Sequence, residues 1–565
     1  MSKKIRLLAL LLVVCMLGSV LAACGNGGNT NTQPSGTSGG STDADVVTDD
    51  MTSIVRTTQD WPTYYDPAVG SSYSCSTTQA NVYDPLVFPK SDGTIVPHVA
   101  TAWDVSEDGL TYTFTIRDDI KFHSGNLLKA SDVAYSVNRM LEIGEGYAYL
   151  YIGVIEECTA PDDATVVMKL TAPFGPFINT LVRLMVVEEA LVTEHYDLSV
   201  DTYGDKGDYG KSWMLINDAG SGPYKTKEFK LDEYFLGEQF ADYWQGWDEN
   251  APQYFMISNM TDPVAVRTAM ANKELEITDE LQPLENYMTM DEFDGVDIVA
   301  YESGNLCSLL LNTKVAPTDD VHFRKALAYA LDYDIITNEI YPGAVQPKGP
   351  VSRVIPGADD SITPYTRNLE KAREELALSK YADNPEMMKI SLSWCAEVPE
   401  QEKISLLIQS NLAELGINVE ISKKPFGSMI ADAQTIETTP NASIVNFAPA
   451  YFEAGSILKT RYHSSSTGTW EQMEWLMDDT LDAMIEDALS TVDQAERFEK
   501  YSAIQQYVYD ICPSIWMFSW IERRAVQTSY VTWNAMEAST SGTPYLMPLG
   551  FAFYAHDMRV DTAAR

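Results

Sequence analysis

The chain has 565 residues, with 81 acidic side chains against 39 basic ones and a formal net charge of −42. That acidity repels nucleic acid and anionic headgroups, which excludes both as partners of the body. Hydrophobic residues make up 45%, enough for large cores, and the length calls for more than one domain.

Lys3, Lys4 and Arg6 precede an apolar run over residues 7–23, broken by Ser19. This is the layout of a bacterial export signal, residues 1–23, too short and too closely followed by Gly and Asn for a membrane span. Leu21-Ala22-Ala23-Cys24 resembles a lipobox, after which the Cys24 sulfur is diacylated; the alternative is an ordinary secretory signal with a chance cysteine. Two acyl chains give stable anchoring where one gives only marginal binding. Residues 24–51 then form the lipidated cysteine and a Gly/Ser/Thr/Asn-rich tether, whose flexible coil spans roughly 25–30 Å. The expected location is the outer face of the bacterial cell membrane, with the membrane touched through the lipid anchor only. No later apolar stretch is long enough to cross a bilayer.

Asp108-Gly109 is a turn between alternating runs; Tyr112, Phe114 and Ile116 share one face, which predicts a half-buried antiparallel hairpin. A helix follows, with Ser131 as its cap and Val133, Val137, Met140 and Leu141 as its stripe. Asp319 or Asp320 caps a second helix, striped by Phe323, Leu327, Ala330 and Leu331. Ile404, Leu407, Ile408, Leu412 and Leu415 mark a third, ended by Gly416 and followed by a strand with Ile417, Val419 and Ile421 alternating. Near the end a long helix stops at Pro513 before an aromatic strand. Hairpins early and αβ units later predict α/β architecture with two lobes of different build.

Cys75, Cys158, Cys307, Cys395 and Cys512 show no CxxC spacing, which reads as free thiols or as one disulfide with leftovers. The six histidines are scattered, with no metal-ligand spacing. "GDKGDYGKSW" nearly imitates a phosphate loop, but Gly204 sits one residue too far from Gly210-Lys211-Ser212 and no apolar strand precedes it. A glycosidase-like carboxylate pair is available only as any chain this acidic supplies pairs by chance. Nothing here argues for an enzyme or a metal.

Five stretches carry a resemblance: "NVYDPLVFPKSDGTIVPHVATAWDVSEDGLTYTFTIRDDIKFHSGNLLKASDVAYSVNRML", "GSGPYK", "SLLLNTKVAPTDDVHFRKALAYALD", "PYTRNLEKAREELA" and "LAELGINVEI". Together they resemble the family 5 extracellular solute-binding proteins, the dipeptide- and oligopeptide-binding receptors of ABC importers. The most specific is the first, with Tyr-x-Phe-x-x-Arg, Lys-Phe-His-x-Gly and Ala-x-Asp-Val-x-x-Ser in that order. The resemblance runs from about Thr52 to the C-terminus. It implies an α/β, two-lobe periplasmic-binding-protein-like clamshell (type II, cluster C) with an extra subdomain in lobe I. Lobe I would comprise residues 52–301 and a C-terminal return, 521–565; lobe II would comprise 302–520. Two segments, near 306–310 and 516–520, would join them. The implied function is capture of a small solute, most typically a di- or oligopeptide, by hinge closure and its delivery to the ABC permease and its ATPase. The resemblance calls for no cofactor, no bond making and a monomer.

The same resemblance aligns Gly70, Ser71, Ser72 and Tyr73 with a ligand-contacting loop of lobe I, and places Trp394 at the cleft with Glu397 beside it. Residues 446–458 align with a Trp-x-x-Asp-x-x-Asp-Pro loop, so Phe447 stands at the tryptophan, Ala450 at the first aspartate and Glu453 at the second. Core packing is the competing reading for Trp394 and Phe447, and a structural role for Tyr73 and the serines. Peptide-binding relatives hold the ligand's ammonium with the first aspartate. Ala450 therefore leaves Glu453 or Glu397 as substitutes, or an oligosaccharide stacked on Trp394 as the alternative ligand. A secreted hydrolase is a more distant alternative, and a surface adhesin more distant again.

Overall fold

The computed structural model describes residues 51–59, 64–231, 233–260 and 262–565; the predicted signal, Cys24 and most of the tether lie outside them. Three sheets organise the chain. The first has the order Ile54–Gln59, Tyr254–Asn259, Tyr234–Gln239, Tyr224–Lys230, its opening strand parallel to Tyr254–Asn259 and the rest antiparallel. The second has the order Asn418–Lys424, Lys389–Cys395, Ala442–Phe447, Asp297–Leu311, Ser514–Val526. Its first three strands run parallel, as the predicted αβ units require. The third is antiparallel, Ala100–Val105, Thr111–Ile116, Thr165–Leu170, Ile155–Asp162.

The predicted hairpin is the start of that third sheet. Trp103 pairs with Phe114, Gly109 takes φ +69° in the turn, and Tyr112, Phe114 and Ile116 are buried while Thr115 is exposed. Helix Ala130–Ile143 packs over the sheet with Val133, Val137 and Met140 inward. Its first residue is Ala130, so Ser131 lies inside the first turn rather than capping it; the Asp132 carboxylate instead accepts from the Lys129 backbone N–H at 2.9 Å. Asp320 does cap Val321–Ala330, accepting from Phe323 N at 2.9 Å. Helix Glu400–Ala413 buries Ile404, Ile408 and Leu412, and helix Gln494–Ile511 leads through Pro513 into Ser514–Val526.

Strands Asp297–Leu311 and Ser514–Val526 pair antiparallel along their whole length, with the ladder broken between Glu302 and Leu306. Before the break, Asp297 pairs with Val526, and Val526 bridges through Ile277 to Thr57 of the first sheet. After it, Leu306–Leu311 pairs with Ala442–Phe447 of the second. Gly304, at φ +84°, sits in the break, where a Cβ would lie 2.6 Å from Ile355 Cδ1. The chain's end then returns to the first sheet's core: Trp533 and Phe553 stack at 5.5 Å, packed with Val55, Tyr83 and Phe255. All five body cysteines are buried free thiols, and no helix among the described residues is long and apolar enough to cross a membrane.

Candidate ligand-binding cleft

A cavity of ≈ 610 Å³ opens where the two systems of strands face each other. One wall is Tyr73 with residues 279–283; the other is built at the C-terminal ends of the parallel strands, by Cys395 and Glu397, by Phe426 and Met429, and by residues 444–446. The ends of parallel strands are where α/β sheets leave room for ligands, because each chain turns away there into its helix.

Local chemistry fixes both walls. Asp279, pushed up by burial and by neighbouring Glu280, ties its turn by accepting from Thr58 Oγ1 (3.0 Å), Gln282 Nε2 (2.7 Å) and Leu281 N (2.8 Å). Opposite, Glu397 Oε2 accepts from Phe426 N at 3.0 Å and from the Cys395 thiol at 3.1 Å; burial and that carboxylate push Cys395 up to about 12. Asn446 also lines the cavity, while its Oδ1 is buried without a hydrogen-bond partner.

Tyr73 opens helix Tyr73–Val82, and its hydroxyl accepts from Arg524 Nη2 at 2.8 Å. Arg524 is fully buried and also meets Glu280 at 2.9 Å and Glu522 at 3.3 Å. Glu522 in turn accepts from Tyr301 (2.9 Å) and Asn305 (3.3 Å) in a second, much smaller recess next to the first; burial pushes its carboxyl up.

Of the residues expected at the site, Tyr73 and Glu397 line the cavity. Gly70 is a packing position: a Cβ would fall 2.3 Å from the Tyr64 carbonyl. Ser71 accepts from Tyr147 through its carbonyl at 3.3 Å, and Ser72 caps the helix by accepting from Cys75 N at 3.3 Å. Trp394 corrects the expectation of a stacking platform. It is 2% exposed, because alternation along Lys389–Cys395 sends it to the face opposite Cys395, with Lys423 Nζ 5.1 Å from its ring centroid. Phe447 is likewise packed, against Trp470, with the Arg461 guanidinium 5.6 Å from its ring. Ala450 meets Arg183 Nε through its carbonyl at 3.0 Å. Glu453 cannot receive an ammonium: it is fully buried and saturated by Arg497 Nε (2.8 Å) and Nη2 (3.0 Å), Tyr501 (2.8 Å) and Asn179 (3.1 Å).

Sequence reasoning missed residues 279–283, Phe426 and Met429, and reached Asn446 only as the first residue of the 446–458 loop. Phe426 and Asn446 had a usable signal, since both stand at or just past the end of a parallel strand. The turn at 279–283 had none. In the near-phosphate loop, Asp208 already accepts from the backbone N–H groups of Asp197, Gly210 and Ser212, so those donors are spent. Among the described residues no group of three or more His, Cys, Asp or Glu side chains is placed to hold a metal ion.

The sequence profile of the bacterial extracellular solute-binding proteins, family 5 (middle region), matches residues 94–469. The probable D,D-dipeptide-binding periplasmic protein DdpA of Escherichia coli (strain K12) is 26% identical over 467 residues, 81% of this chain and 86% of that one. Among solved structures, the peptide-bound periplasmic binding protein DppA of Helicobacter pylori superposes with a TM-score of 0.74 at 21% identity, covering 90% of this chain and 98% of that one. NikZ of Campylobacter jejuni, in complex with Ni(L-His), superposes at 0.75 with 17% identity over 90% and 99%. The two-lobe α/β architecture expected from the sequence is the fold of these neighbours.

Proposed function

The chain belongs to the bacterial extracellular solute-binding proteins of family 5, which serve ABC importers, and on that premise we propose that it captures a peptide-sized solute in the ≈ 610 Å³ cavity and hands it to a membrane permease. The observation that carries this reading is the cavity's construction: neither wall is complete alone, so a solute touching both favours the closed arrangement over the open one. The peptide class rests on the relatives named above. The stacking platform that favoured an oligosaccharide is lost with Trp394 in the core.

The hinge in this reading is the broken ladder around Gly304 and Ile521, with residues 52–301 and 521–565 as one lobe and 302–520 as the other. The receptor is a monomer held at the cell surface by Cys24. A thermal-shift screen with di- and tripeptides should find a ligand that stabilises by about 2.7 kcal/mol at 100 times its Kd. Small-angle scattering at saturation should then give a smaller radius of gyration than without ligand. Superimposable curves would overturn closure as the mechanism.

A further inference from the structure

The cavity's charged groups are biased in one direction. Glu280 on one wall and Glu397 on the other each use only Oε2, toward Arg524 and toward Phe426 N with the Cys395 thiol respectively. Asp279 adds a third carboxylate to the lining. Among the described residues no lysine, arginine or histidine lines this cavity. The arginine beneath it, Arg524, is shared between two carboxylates, Glu280 and Glu522, so it has no charge to spare. Arg523 lies in the adjoining recess of ≈ 30 Å³, but with Glu280 and Glu400 beside it, and its guanidinium donates to the Pro342 carbonyl. The lining carboxylates Asp279, Glu280 and Glu397 therefore face a single buried arginine, and the fixed charge is negative.

From this we infer that the solute enters as a cation: a peptide-class ligand whose ammonium or guanidinium groups outnumber its carboxylates. The inference rests on the reading of this cavity as the ligand site. A donor-rich cation would bridge Glu280 to Glu397, one from each wall, so the same charge that selects the ligand would also draw the walls together. A free carboxylate would find no cation of its own in the cavity.

The test is competitive retention followed by mass spectrometry. One tripeptide library is prepared in four terminal states: free (zwitterionic), C-amidated (cationic), N-acetylated (anionic), and both (neutral). Spermidine and maltotriose are added to the mixture. The expected result is enrichment of amidated peptides about tenfold to a hundredfold over their N-acetyl-amide counterparts. That preference should shrink in high salt and reverse in Glu397→Lys, whose side chain is exposed and whose fold circular dichroism can verify. Retention of spermidine without peptides would uphold the charge inference and overturn the peptide class. Preference for zwitterions, anions, neutral peptides or maltotriose would overturn the charge inference and leave a receptor standing. Retention of nothing would overturn both.

Discussion

Lys403 and Glu285 join the two walls of the cleft, Nζ to Oε1 at 3.2 Å, one from helix Glu400–Ala413 and the other from helix Leu284–Met290. Both side chains are exposed, and an ion pair in that setting contributes at most about 1 kcal/mol. Lys403→Met should therefore weaken ligand binding by up to roughly fivefold. The difference should vanish near 1 M salt, where the screening length is about 3 Å. Calorimetric titrations at low and high salt check this; an effect indifferent to salt would remove the pair from the closing motion.

Glu453 is a structural carboxylate. Glu453→Gln breaks a buried two-point pair with Arg497 and should cost about 3–5 kcal/mol in chemical denaturation. Affinity per folded molecule should hold within about twofold. A tenfold loss of affinity with stability intact would return Glu453 to the ligand site.

His123 should make stability fall on the alkaline side. Burial disfavours its charge, but its two ring nitrogens face Asp218 at 2.6 Å and the Gly222 carbonyl at 2.9 Å, and together these raise its pKa. Burial pushes Asp218 up, yet His123 beside it overrides that and holds its carboxyl down at about 2. A raised histidine stabilises fully below its unfolded value of about 6.5 and loses that contribution as pH rises through the higher folded value. The Asp218 contribution is lost only as pH falls toward 2. Urea midpoints of wild type and His123→Gln should thus converge between pH 6 and 9; a gap constant across that range would mean the ring is neutral.

Cys24→Ala should release the protein into the medium, because the tether that follows is polar and carries no anchor of its own. Fractionation followed by immunoblotting measures it. A variant still firmly in the membrane fraction would refute lipid anchoring.

Elements with local periodicity were legible in the sequence: the 103–114 hairpin, the helix ending near Gly416 with the strand after it, and the long helix before Pro513. The motifs that carried the resemblance owe their residues to the scaffold. Asp84 accepts from His98 (2.7 Å), Ser221 (2.8 Å) and Tyr243 (3.1 Å), while Gly220 and Gly222 pass so close to Val82 that a Cβ would lie 2.0 and 2.6 Å from its backbone. Those motifs therefore identify the fold and say little about the ligand. The cavity was mostly illegible because residues 279–283 and 444–446 meet only through the sheet, over 150 positions apart in sequence. Trp394 misled because an aromatic next to a cleft residue on a strand faces the other way.

The return of the chain's end to the first sheet makes the first core depend on residues synthesised last. Thr57 reaches Val526 only through Ile277, and the core around Val55 and Tyr83 needs Trp533 and Phe553 to fill it. Most of the second and third sheets is available to pair earlier in synthesis, whereas the first core must wait for residues made last. That core cannot be completed until Trp533 and Phe553 have been made. A stop codon ahead of Val526 would leave that core without its closing aromatics, as a target for proteases.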